Sequence, residues 1–151
     1  MYGDTGVIRR LGTQMADQGT EIRNDADRLV KASQLVVWEG RAAQAMRERM
    51  AERAVALRVT ADEHDDAAQA LRHHADEVDR LKDLIREIAD RVRGLVEGAK
   101  SRLASLADKA IDLVKTITPD PVDEMLSSFQ PPPEGHKDWL DVPDQLPGGG
   151  R

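Results

Sequence analysis

Leu35-Val36-Val37-Trp38-Glu39-Gly40-Arg41-Ala42-Ala43-Gln44-Ala45-Met46 separates two long heptad-patterned stretches in a chain of 151 residues. A large indole, a glycine and then small alanines describe a tight turn between two close-packed helices. Glycine reaches backbone angles closed to other residues, and tryptophan can cover the end of a packed pair.

Upstream of the turn, the pattern predicts a helix from Val7 to Val36, with Asp4 or Thr5 near its N-cap. Ile8, Met15, Ile22, Leu29 and Val36 recur every seven residues, and Leu11, Ala26 and Ala32 widen the stripe. Downstream, Met50, Leu57, His64, Leu71, Val78, Ile85, Val92, Ala99, Leu106 and Leu113 form a longer series with the same spacing. A strict seven-residue repeat favours a left-handed supercoil. At 1.5 Å per residue the first helix reaches roughly 45 Å and an unbroken second helix over 43–117 about 110 Å. An antiparallel first helix therefore covers the second only to Leu71 or Val78. Beyond that, Leu81, Ile85, Ile88, Val92, Leu95, Val96, Leu103 and Leu106 continue an apolar stripe that is costly to leave in water. The favoured expectation is a projecting helix that pairs with another chain. Its rival is a break at Gly94 or Gly98 and a fold back onto the body, glycine costing about 1 kcal/mol relative to alanine in a helix.

Composition agrees with helices. The chain is 40% hydrophobic but only 3% aromatic, so alanine and aliphatic side chains must fill the core, and 33% of residues are charged. Such a balance argues against a β-sandwich. With no cysteine, disulfides, thiolate metal sites and a cysteine nucleophile are excluded. Met1 to Arg10 lack the apolar core of a cleavable signal peptide, and no apolar run approaches a transmembrane length.

All seven prolines lie between Pro119 and Pro147. Proline disrupts helix interiors and biases the preceding residue away from helical angles, which places a boundary at Thr118: a helical domain over 1–118 and an acidic Pro/Gly-rich tail over 119–151. The tail holds seven acidic residues against Lys137 and Arg151, a net −5 that leaves −1 of the total −6 for the body. A nearly neutral body offers no footprint for nucleic acid. Within the tail, Asp120 and Pro121 predict a short helix over 121–129 with Val122, Met125, Leu126 and Phe129 on one apolar side. After Pro131-Pro132-Pro133 the chain reads as extended and largely disordered. Trp139 and Leu140, with Val142, form a candidate docking motif there, and Pro147 to Arg151 reads as a linker.

The turn and its flanks resemble the WXG family, helical-hairpin proteins handled by type VII secretion systems, chiefly in actinobacteria and firmicutes. In that family Trp-x-Gly commonly precedes x-Ala-Ala-x-Ala and an apolar residue, matched here from Trp38 to Met46. The resemblance covers residues 7–90, and more specifically it is to the N-terminal hairpin module of larger actinobacterial secreted proteins. Many relatives carry aromatic residues where Met46 and Met50 stand, and methionine fills such positions acceptably. The family's export signal, Tyr-x-x-x-Asp/Glu, is absent in that form: Tyr2 is followed four residues later by Gly6, and only His73 with Glu77 offers a loose substitute.

The resemblance implies an all-α antiparallel helical hairpin with a long coiled-coil-like second helix. It also implies a non-enzymatic secretion substrate or secretion-associated partner, cytoplasmic before export and then secreted or in the cell envelope. Its partners would be a second hairpin protein, as homo- or heterodimer, and a type VII secretion ATPase or chaperone. Trp38 and Gly40 fix the turn, and the candidate partner contacts are Leu81, Ile85, Ile88, Val92 and Leu95. The alternative is a cytosolic coiled-coil adaptor or assembly scaffold. His64, His73 and His74 lack the i, i+4 spacing of helical metal ligands, and no phosphate loop, nucleophile elbow or triad pattern occurs. Neither catalytic residues, a metal nor a cofactor is expected. Glu87–Arg91 and Asp76–Arg80 read as ordinary helix-surface ion pairs.

Overall fold

Residues 4–113 and 118–146 are described by a computed structural model, and their secondary structure is entirely helical. Tyr2, the Pro147–Arg151 end and the side chain of Leu113 lie outside the described residues. In chain order come α1 (Thr5–Leu35), α2 (Arg41–Leu113), α3 (Pro121–Ser127), a 3-10 helix (Lys137–Asp141) and α4 (Val142–Gln145). The protein is all-α. It divides into two compact units, one spanning Asp4–Val78 and the other containing Asp79 onward, and α2 contributes to both.

In the Asp4–Val78 unit, α1 begins at Asp4, whose Oδ1 accepts from the Gly6 N–H at 2.8 Å, satisfying an otherwise orphaned donor. The residues α1 buries are Gly12, Gly19, Ala26 and Ser33, spaced seven apart. Opposite them α2 buries Ala54, Ala61, Ala68 and Ala75 at the same spacing. The two rows meet backbone to side chain: a Cβ on Gly12 would lie 3.2 Å from the Ala68 carbonyl oxygen, and one on Gly19 3.0 Å from that of Ala61. Ion pairs flank the seam. Arg9 Nη1 meets Asp76 at 2.7 Å, Arg23 Nη2 meets Asp62 at 2.6 Å and Asp65 at 2.5 Å, and Arg58 Nη2 meets Asp27 at 2.7 Å. As α1 numbers rise, their α2 partners fall, an antiparallel order. These pairs are open to solvent, which screens them, so they set register more than stability.

The expected seam of large residues is thus displaced by one stripe. Ile8, Met15, Ile22 and Leu29, with Met50, Leu57, His64 and Leu71, are only half-buried. Small side chains occupy the line of closest approach because interaxial distance follows the side chains at the contact; the larger ones flank it. His64 bonds the Thr60 carbonyl oxygen through Nδ1 at 2.9 Å. Asp76, expected to pair with Arg80, reaches Arg9 instead, whereas Glu87 and Arg91 do pair, at 2.9 Å.

In the unit from Asp79 onward, α2 passes through Gly94 and Gly98 without a break. Each glycine's cost of about 1 kcal/mol is spread along a cooperative helix. After Thr118, Asp120 caps α3 by accepting from the Val122 N–H at 2.9 Å, with Pro121 in the first turn. The face that α3 buries is Asp123 and Leu126, while Val122 and Met125 are exposed. This corrects the expected apolar side: Arg102 bonds the Asp123 carboxylate and turns that residue inward. Gly135 then turns the chain with φ +70°, a backbone region glycine enters without steric cost. His136 caps the 3-10 helix.

Trp139 and Val142 pack with Ile85, Ile88 and Val92 into one core, with Val96, Phe129, Leu140 and Leu146 against it. The expectation of a largely disordered tail is therefore corrected over 118–146. A polar, proline-rich composition cannot build a core by itself, but a few large apolar side chains order such a segment when α2 supplies the other wall.

Candidate functional site

Two places carry the candidate residues: the Trp38-Glu39-Gly40 turn and the α2 stripe from Leu81 to Leu95. At the turn, α1 ends with Val36 in an extended conformation. Gly40 takes φ +96°, an angle L side chains rarely adopt. Its carbonyl accepts from the Gln44 N–H at 3.1 Å and opens α2. The side chain that ties the turn down is Arg47, whose Nη2 donates to the carbonyls of Val36 at 3.0 Å and Trp38 at 2.9 Å. Sequence reading missed Arg47, because an arginine two turns into a helix carries no local signal of what it will reach.

Trp38 itself is 64% exposed, with Leu35 and Val37 more exposed still. The expectation that its indole covers the end of the packed pair is corrected. Arg47 holds the turn through backbone carbonyls, which leaves the tip's apolar side chains in solvent. Nearby, Ala42, Ala45, Met46 and Met50 floor a shallow groove on α2 flanked by Arg49 and Arg53.

The stripe is divided by burial. Ile85, Ile88 and Val92 are buried, whereas Leu81 and Leu95 are exposed. The first three touch the chain's own Trp139 and Val142, so the expected uncovered contact face is covered at its centre by an intramolecular segment. Trp139, expected as an accessible docking residue of the tail, is 5% exposed and Leu140 half-buried. The Trp139 Nε1–H donates to the Pro133 carbonyl at 3.0 Å, satisfying the polar edge of a buried indole.

About two turns beyond the stripe sits the polar counterpart of this cover. The Arg102 guanidinium grips Asp123 through Nε (3.1 Å to Oδ1, 2.9 Å to Oδ2) and Nη2 (2.5 Å to Oδ1). A two-pronged fork of this kind is among the strongest and most directional polar contacts in proteins. It explains the rotated face of α3: Asp123 is buried because Arg102 receives it. Hydrogen bonding from Arg102 holds the Asp123 carboxyl below the ordinary carboxylate range, against the opposing effect of desolvation. The same bond raises the affinity of Arg102 for its proton.

Between α2 and the segment 129–139 lies a cavity of about 330 Å³, walled by Val92, Val96, Phe129, Pro131, Pro132 and Trp139, with Arg93, Glu97, Lys100 and Glu134 also lining it. Among the described residues no group of three His, Asp or Glu side chains is placed to hold a metal ion. His73 lies 3.7 Å from Glu77 on the exposed helix surface. No described helix is long and apolar enough to cross a membrane. Comparison with protein-family models, with curated proteins and with solved structures yields no match to this chain.

Proposed function

We propose that this protein is a WXG-type helical hairpin with a coiled-coil-like second helix, acting without catalysis in type VII secretion as a substrate or as a partner of one. The observation that carries the reading is the turn: Trp-x-Gly followed by an alanine block, with Gly40 at φ +96° between helices whose contacts run in antiparallel order. Further support comes from the narrow Gly/Ala seam, which lets two helices pack without aromatic residues, as the composition requires. The protein's task in this reading is helix–helix association with another hairpin protein, with export through the type VII ATPase or a chaperone.

Trp38, exposed at the tip, is available to a partner and contributes little to the hairpin's own packing. Of the α2 residues, Leu81 and Leu95 are accessible as they stand, while Ile85, Ile88 and Val92 become so only when the C-terminal segment moves. The test is export from the native host. Trp38→Arg is expected to leave the fold intact, because the indole is solvent-exposed, and to abolish appearance of the protein outside the cell. Undiminished export of Trp38→Arg overturns the motif assignment. Light scattering of the protein mixed with the product of its adjacent gene tests association separately.

A further inference from the structure

We propose that the α2 surface from Ile85 to Arg102 is a docking site for an acidic amphipathic helix, and that segment 118–146 of the same chain is its built-in competitor. The proposal rests on the helix–helix association reading above and names the partner's chemistry and its regulation. What occupies the surface defines what it takes. Along α2, Ile85, Ile88 and Val92 receive the apolar side chains of Trp139 and Val142, and ten residues past Val92 the exposed fork of Arg102 receives the carboxylate of Asp123. A ligand matching this surface presents aliphatic or aromatic residues along one face and an aspartate or glutamate at the end of that face.

The resident segment meets those requirements piecemeal. It is built from a seven-residue helix, a five-residue 3-10 helix and a four-residue helix, each too short to persist without the surface it lies on. It also leaves the cavity of about 330 Å³ beside Val92 and Val96, where packed atoms would otherwise make dispersion contacts. A continuous helix would order in a single step and could fill that space. Covers of this kind belong to the low-stability end of a protein's opening spectrum. Tethering compensates, because a linked segment acts at an effective concentration near millimolar. The surface is thereby closed to weak ligands and open to a well-matched one.

The experiment uses the full chain and a fluorescently labelled synthetic peptide of residues 118–146 as the probe. Peptide anisotropy is measured against the native chain and against a chain carrying Asp123→Arg and Trp139→Asp, which unseat the resident segment at both contacts. The opened chain is expected to bind the peptide about 100-fold more tightly than the native chain, by removal of the tethered competitor, and Arg102→Glu on the opened chain is expected to reverse the gain. Equal binding to both chains, or no binding to an opened chain whose 4–78 amides remain protected from hydrogen exchange, overturns the proposal. Hydrogen exchange on the unmodified chain gives a second test that needs no variant. Amides of 121–145 are expected to exchange at least about tenfold faster than those of α2 residues 85–102, through separate opening of the cover. Exchange of both at one common rate overturns it. No secretion apparatus enters either measurement, so failure here is distinct from failure of the export assay.

Discussion

One helix serves two kinds of core. In its first half α2 buries alanines, Ala54, Ala61, Ala68 and Ala75, against Gly12, Gly19 and Ala26 of α1. In its second half it buries Ile85, Ile88 and Val92 beneath an indole and a valine. The first core takes its stability from close approach of two long helices, in which no single side chain contributes much. The second depends on a few large side chains meeting short, proline-interrupted segments. A repeat of small residues therefore makes a core that resists deletion and is vulnerable to addition, and the large-residue core behaves the opposite way.

The largest expected effect breaks the second core. Trp139→Ala removes the largest side chain from the cluster and is expected to cost about 3–5 kcal/mol in that unit, read from urea unfolding followed by hydrogen exchange on 85–145; protection of 4–78 should be unchanged. A loss below 1 kcal/mol would mean that the indole lies on the surface without holding it. The complementary test overfills the first core. Gly19→Leu drives a side chain toward the Ala61 carbonyl and Asp65 and is expected to cost about 1–3 kcal/mol, seen as a lower thermal midpoint. Neutrality there would contradict the close seam.

A third glycine gives the opposite sign. Nothing lies within 4 Å of a Cβ on Gly94, so Gly94→Ala is expected to stabilise α2 by about 1 kcal/mol, measured as a gain in helical signal and midpoint. The smallest effect is that of acid. The Asp123 carboxyl is held below its ordinary range by Arg102, so its contribution is complete above the ordinary aspartate value of about 3.9 and is lost as pH falls through the lowered one. Arg102 stays charged throughout, and its other acidic neighbour, Asp120, also carries a carboxylate. In a chain with Trp38→Phe, fluorescence of Trp139 should stay constant on acidification until below the usual carboxylate range and only then shift toward that of exposed indole. A shift centred near neutral pH would rule out Asp123 as its source.

Much of the fold was legible from one dimension. Absence of proline before Pro119, the heptads and the Trp-Glu-Gly turn place α1 and α2 nearly where they stand, and Asp120-Pro121 marks the start of α3. Heptad reading went astray on which residues meet, because it weights large apolar side chains, whereas Gly12, Gly19 and Ser33 have little hydrophobic signal and lie at the closest approach for that very reason. The candidate site was legible in half. Gly40 could be read from the motif. Arg47, Arg102 and Asp123 could not, since each acts on a group with no patterned relation to it in sequence: nine residues from Trp38 for Arg47, and twenty-one between Arg102 and Asp123.

The sequence by itself determined the helical class, the turn and the presence of an apolar stripe on α2 longer than α1 can cover, because periodicity and proline placement act through local backbone geometry. Only the tertiary structure decided what covers that stripe. An apolar face specifies that water must leave it and says nothing of which surface replaces the water; Trp139, Val142 and the Arg102–Asp123 fork supply that answer from within the same chain.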